Sequence, residues 1–166
     1  AAQTALADAE VEYKDKEDYS IYVAFELSDK TKDELEIHGP AAIIIWTTTP
    51  WTLPANTGIS LNPDEVYVIS EDGYIVAQSR YEALSEMGII GKHSGRKIAA
   101  RELENKIAIN PLNDRNSTIV LGEHVLLDGG TGAVHTAPGH GEDDYRVGLK
   151  YNLEVLMPVD EKGCYD

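Results

Sequence analysis

AAIIIWTTT, residues 41–49, decides the fold. The stretch is apolar and β-branched for most of its length, which reads as a strand buried on both faces. Pro50 and Pro54 stop it and force a rigid irregular turn carrying Trp51, Thr52 and Asn56. Upstream, Ala1–Ala9 has weak helical character, and Glu10–Tyr13 and Tyr19–Leu27 read as strands. In the second of these, Ile21, Val23 and Phe25 alternate with Tyr22, Ala24 and Glu26. Downstream, Val66–Ile69 and Tyr74–Gln78 flank Glu71-Asp72-Gly73, a hairpin signal. Tyr81–Met87 reads as a short helix ended by Gly88. Ile119–Leu121 and His124–Leu127 read as strands around a turn at Gly122-Glu123. Ala133–Ala137 reads as another strand, after the glycine-rich turn Gly129–Gly132. Glu142–Tyr151 has helical spacing, with Tyr145, Leu149 and also Val147 on its apolar side. Short strands joined by turn chemistry favour an α+β domain over a doubly wound sheet. The expected fold is β-barrel-like, of short, mostly antiparallel strands with a few short helices.

The chain has 166 residues, 42% hydrophobic and 26% charged, within the range of one ordinary globular domain. There is no internal repeat or linker, so residues 1–166 are expected to form a single domain. No apolar run approaches a membrane span, and the N-terminus carries no secretory pattern. Cys164 is the only cysteine, which excludes an internal disulfide framework and a cysteine-based zinc site. The expected setting is the cytoplasm. The net charge of −15, much of it in Asp8–Glu36, argues against strong non-specific nucleic-acid binding. If the substrate is a nucleic acid, this domain recognises a terminal piece of it while the body is held elsewhere.

Two segments could carry chemistry. In the first, residues 46–56 (WTTTPWTLPAN), a threonine run leaves a buried strand and is locked by two prolines. Its hydroxyls both donate and accept hydrogen bonds on stiff side chains; alternatively they simply cap a sheet end. In the second, residues 128–145 (DGGTGAVHTAPGHGEDDY), glycines allow close backbone approach to a ligand, and His135 and His140 precede an acidic helix start. Pro138 and Gly139 separate the two histidines, which argues against a helical metal pair, and no metal or cofactor is expected. There is no nucleophile elbow of the Gly-x-Ser-x-Gly type and no phosphate-cradling loop.

Together, WTTTPWTLPAN and GTGAVHTAPGHGEDDY resemble the editing domain inserted into class I aminoacyl-tRNA synthetases for isoleucine, valine and leucine. The resemblance also takes in AEVEYKDK near the start and KYNLEVLMPVDEKGCY at the end. After Gly-Thr-Gly-Ala-Val, His135 and the triple threonine look like the isoleucyl branch, where valyl enzymes place lysine and leucyl enzymes methionine. The His-Ile-Gly-His and Lys-Met-Ser-Lys-Ser type signatures of amino-acid activation are missing, so the chain reads as an editing domain excised from a much longer synthetase. The resemblance implies hydrolysis of valine esterified to the terminal adenosine of tRNA(Ile), with valyl-adenylate a further substrate and isoleucine excluded. One methylene gives a hydrophobic pocket only about 1–3 kcal/mol of discrimination, the isoleucyl synthetases being the standing example of that limit, so a second pocket multiplies selectivity.

The same resemblance gives the residues roles. Asp144 pairs with the substrate ammonium, while Thr47, Thr48 and Thr49 bind the ester and adenosine and order a water. His135 forms a steric wall; Asn56 touches ligand or braces the threonine loop. Thr136, His140 and Trp46 complete the substrate-binding set, with Trp46 more a packing residue than a base-stacking one. The implied partners are the 3′ end of aminoacylated tRNA(Ile) and the rest of the parent synthetase; no membrane is involved, and the chain is expected to be a monomer. The rival readings are a valyl-type domain clearing threonine, a non-catalytic module binding nucleotides or aminoacyl-adenylates, and a free-standing editing protein.

Overall fold

A computed structural model of the protein describes residues 21–156. The expected elements at Ala1–Ala9 and Glu10–Tyr13, and Cys164, lie outside the described residues. Nine strands form one mixed sheet in the order β6-β4-β5-β2-β1-β7-β8-β3-β9. They are β1 (Ile21–Leu27), β2 (Ala42–Thr47), β3 (Gly58–Leu61), β4 (Val66–Ser70), β5 (Tyr74–Ala77), β6 (His93–Ala99), β7 (Ile107–Ile109), β8 (Asn116–Leu121) and β9 (Ala133–Thr136). Four α-helices accompany them: α1 (Asp29–Glu34), α2 (Gln78–Glu86), α3 (Ala100–Leu103) and α4 (Glu142–Tyr151). The β2–β5 and β3–β8 pairs are parallel and the others antiparallel. The sheet curls until β9 lies beside β2, but the terminal strands β6 and β9 do not pair, so the barrel is not closed. The α+β class and the mostly antiparallel pairing hold, and the barrel-like sheet stops short of closure.

β2 is central, as its composition requires. Ile43 and Ile45 enter the main core with Val23, Phe25, Ile59 and Ile75. Ile44 points the other way into a second layer with Tyr22, Val68, Val76 and Leu84, roofed by α2. Each such side chain, fully buried, contributes roughly 1.5–3 kcal/mol, and a strand covered on both faces needs no polar alternation.

Local chemistry sets the remaining elements, and several differ from expectation. Residues 50–55 form a regular 3₁₀ helix, because Pro50 pre-sets φ at its first position. His124–Leu127 is not a strand: the Val125 amide donates to the Gly122 carbonyl in a tight turn, and Leu126 is exposed. α4 has the expected bounds, and Val147 faces inward as expected, but the two large residues do not. Tyr145 and Leu149 face outward, while Asp144, Val147, Gly148 and Tyr151 line the inner stripe. Gly148 makes that possible, since a Cβ there would sit 2.9 Å from Pro138. No described helix is long and apolar enough to cross a membrane.

The glycine-rich turn before β9 is pinned from β4, β5 and α2. Tyr67 Oη donates to the Gly132 carbonyl, the Ala77 amide to Thr131 O at 2.9 Å, and Arg80 Nε to Gly130 O at 2.9 Å. Gly132 has φ +81°, and a Cβ there would lie 2.4 Å from Ala77 Cβ. Gly132→Ala is expected to destabilise the domain by about 2–4 kcal/mol, combining left-handed backbone strain with overpacking. Gly88→Ala is the control: φ is +79° with nothing within 4 Å of the added carbon, so about 1 kcal/mol is expected. Urea midpoints of the two variants check both values; equal effects would remove packing from the explanation.

Candidate functional site

Where β2 ends, the buried Thr47 hydroxyl accepts the Thr49 amide at 3.0 Å and lies 3.4 Å from the Thr49 hydroxyl. This side-chain turn holds Thr48 and Thr49 at the surface just before Pro50. One 3₁₀ turn further on, the Thr52 hydroxyl donates to Thr49 O at 2.9 Å. Across from them, β9 brings in Val134 and His135, and the turn and helix after it bring in His140 and Asp144. Together with Trp46 these residues line one half-open cleft of about 260 Å³. The two segments singled out in the sequence therefore form its two walls.

His135 is 6% exposed and engaged at both ring nitrogens. Asn56 Nδ2 lies 2.8 Å from Nδ1, and the Thr52 hydroxyl lies 2.7 Å from Nε2. The neighbours fix the proton positions. Asn56 Nδ2 also donates to Gly58 O at 2.9 Å, and Asn56 Oδ1 accepts from Ser117 Oγ at 2.6 Å, so the amide orientation is set. Its nitrogen donates to Nδ1, which must be unprotonated; Nε2–H then donates to Thr52, whose own proton goes to Thr49 O. Burial first, then the neighbouring His140, pushes the His135 pKa down to about 4.

This buried neutral ring makes stability depend on pH. The unfolded chain takes up the proton near the ordinary histidine pKa, well before the folded protein does. Stability is therefore complete above about pH 6.5 and falls toward pH 4, by about 3 kcal/mol from this group. Urea titrations at pH 7 and pH 4.5, on the wild type and on His135→Gln, check it. The variant should lose most of that interval's pH dependence, and an unchanged interval would refute the assignment.

Asp144 stands in the first turn of α4, on its inner stripe, and is half-buried. Its Oδ2 accepts the Ala137 amide at 3.0 Å. Burial raises its pKa above the ordinary carboxylate value. The Ala137 amide, His124 and His140 oppose that rise, and Asp143 adds to it. Among the described residues it is the one carboxylate lining the cleft.

Not every expected site residue reaches the cleft. Asn56 and Thr136 are both 0% exposed and do not line it. Asn56 sits behind His135 as its brace, and the Thr136 hydroxyl pairs with Ser60 at 2.7 Å inside the sheet. Thr52 and Val134 line the cleft without having been singled out as binding residues. Thr52 differs from an ordinary turn threonine only in facing His135, from 83 residues away in sequence. Trp46 separates the cleft from a neighbouring apolar groove of about 310 Å³, bordered by Leu126 and residues 128–134. The Trp46 ring packs on Gly130, where a Cβ would lie 2.9 Å from it.

A family model described as "Leucyl-tRNA synthetase, editing domain" matches residues 19–164. Among curated proteins, the chain is 70% identical over 166 residues to an isoleucine--tRNA ligase from Sulfurovum sp., and 64% identical over 166 residues to one from Sulfurimonas denitrificans. In both comparisons all of this chain is covered, but it spans only 18% of the relative's length. Among solved structures it is similar in fold to GlLeuRS-CP1, at TM-score 0.63 and 18% identity, covering 83% of this chain and 70% of that one. It is equally similar to the P. knowlesi cytosolic leucyl-tRNA synthetase editing domain, at TM-score 0.63 and 14% identity, covering 77% and 61%.

Proposed function

The chain belongs to the editing-domain family of class I aminoacyl-tRNA synthetases, on its isoleucyl branch, and from that premise we propose that its cleft hydrolyses the ester of valine on the terminal adenosine of tRNA(Ile). Valyl-adenylate is a second substrate, and isoleucine is excluded. The observation that carries this reading is the meeting, in one small cleft, of a single carboxylate, a row of threonine hydroxyls and a fixed imidazole wall.

Asp144 holds the α-ammonium of the substrate; a charge-assisted bond in a partly dry cleft is strong, and it distinguishes aminoacyl esters from other esters. Thr48 and Thr49 hydrogen-bond the ester and ribose and order the attacking water, while Thr47 shapes the loop that presents them. His135 is the wall against the aliphatic side chain. Its neutral ring and two engaged nitrogens suit an apolar neighbour. The adenine lies along the groove beyond Trp46, with His140 at the rim. An aminoacyl ester is already activated, so holding it and a water in register supplies much of the rate. The tRNA body contacts the remainder of the parent synthetase, since this chain carries a net charge of −15.

The test is hydrolysis of Val-tRNA(Ile) beside Ile-tRNA(Ile) and Thr-tRNA by this domain. Loss of valine alone is the expected result; preferential loss of threonine would move the domain to the valyl type. If none of the three tRNAs reacts, valyl-adenosine replaces them, and binding without turnover would make the chain a non-catalytic module. His135 has no lone pair left for a cation, and the proposed hydrolysis runs without a metal. A chelator should leave the rate unchanged within twofold, and inactivation rescued by zinc would contradict this.

A further inference from the structure

We infer that Ser117 is a positioning residue for the cleft: through Asn56 it locks the His135 ring in one tautomer and one orientation, and so sets how sharply the wall excludes a larger side chain. Ser117 lies on β8, 0% exposed, and takes no part in the cleft lining. Its side-chain hydrogen bond goes to Asn56 Oδ1, at 2.6 Å.

The inference rests on direction as well as distance. An asparagine amide can be placed either way round, and the two placements have opposite effects on a histidine beside it. Here two buried groups decide. Gly58 supplies a carbonyl, which only the amide nitrogen satisfies, and with the nitrogen turned to Gly58 the Ser117 hydroxyl donates to the amide oxygen and holds it in place. With both in place, a donor must face His135 Nδ1. The ring proton is therefore confined to Nε2, aimed at Thr52, and the Thr52 proton to Thr49 O. The hydroxyl on β8 thus anchors one end of a chain of four hydrogen bonds that ends on the threonine loop.

Taking the hydroxyl away leaves the Asn56 oxygen buried without a donor, which is unfavourable. The amide, still tied to Gly58 O, tilts or admits a water, and its hold on Nδ1 weakens. The ring then samples a second tautomer and a second tilt, and a wall of variable position discriminates one methylene less well. The tautomer part is independent of the proposed function, and the exclusion part rests on it.

Two readouts on wild type and Ser117→Ala test the inference. Long-range ¹⁵N–¹H correlation at pH 7 should show wild-type Nδ1 unprotonated and Nε2 protonated. In Ser117→Ala the two nitrogen resonances should draw together as the second form becomes populated, and the ratio of Val-tRNA(Ile) to Ile-tRNA(Ile) hydrolysis should fall three- to tenfold. Should the alanine variant fail to fold, Ser117→Cys, a weaker donor of similar size, carries the same readouts. A wild-type ring protonated on Nδ1, or a folded variant with the wild-type spectrum and ratio, overturns the inference. An absence of hydrolysis in every protein would count against the editing function, and the ring spectrum would still decide the place of Ser117.

Discussion

Asp144→Asn is expected to lower kcat/KM for Val-tRNA(Ile) by two to three orders of magnitude while leaving the fold intact. The asparagine oxygen can still accept the Ala137 amide, at present held at 3.0 Å, so the turn before α4 keeps its tie. What disappears is the negative charge. A charged pair broken in a partly buried place costs about 3–5 kcal/mol, because the substrate ammonium then enters without a counter-ion. A control separates this from general damage. The 2-hydroxy analogue of the valyl ester has no ammonium; it should be a poor substrate for the wild type and no poorer for the variant. Equal losses on both esters would show that Asp144 is not the ammonium partner. The acid limb gives a second reading. Only the ionised carboxylate pairs, and burial raises its pKa, so wild-type activity should fall on acidification above the ordinary aspartate range. That limb should vanish in the variant.

Asn56→Ala should be the most destabilising single change at the site, although Asn56 does not line the cleft. Its amide satisfies Ser117, Gly58 and His135 at once. Each buried partner left unbonded costs roughly 1–3 kcal/mol, and the three are not independent, so about 3–5 kcal/mol in total is expected by urea unfolding. At temperatures where the variant stays folded, Val-tRNA(Ile) hydrolysis should be impaired with Asp144 in place. The double variant with His135→Ala should cost less than the sum of the singles, since one lost bond is then counted once. Strict additivity would mean that the two side chains do not act as a unit.

The elements legible in the sequence are those whose pattern reflects a single cause. β2 was readable because burial on both faces leaves an unbroken apolar run. The β4–β5 hairpin was readable from its glycine turn, as was the extent of α4 from its proline and acidic start. β6 was not: its His93–Ala99 run is mostly exposed, an edge strand with no apolar rhythm. β3 and β7 are too short to show a period. In α4 the large residues Tyr145 and Leu149 gave the wrong phase, because the inner stripe is built on Asp144, Val147 and a glycine made small by Pro138. Of the site, the two chemical segments could be found from their residues. Whether a polar residue touches ligand or braces another could not: Asn56 and Thr49 look alike on the chain and differ in what surrounds them. Ser117 gave no signal, being a lone serine in a short strand.

The two walls of the cleft are distant in sequence, with the His135 bonds to Asn56 and Thr52 spanning 79 and 83 residues. Closing a loop of that length costs entropy before its contacts reward it, so contacts of this kind form late in folding. The cleft therefore comes into existence only once the segments that carry its two walls have come together. Under the proposed function, a nascent or partly denatured domain would have neither the ammonium partner nor the wall in register, and it would fail as an inert protein rather than as an indiscriminate esterase. Under the proposed function, quality control of charged tRNA is thereby tied to the completeness of the domain that would perform it.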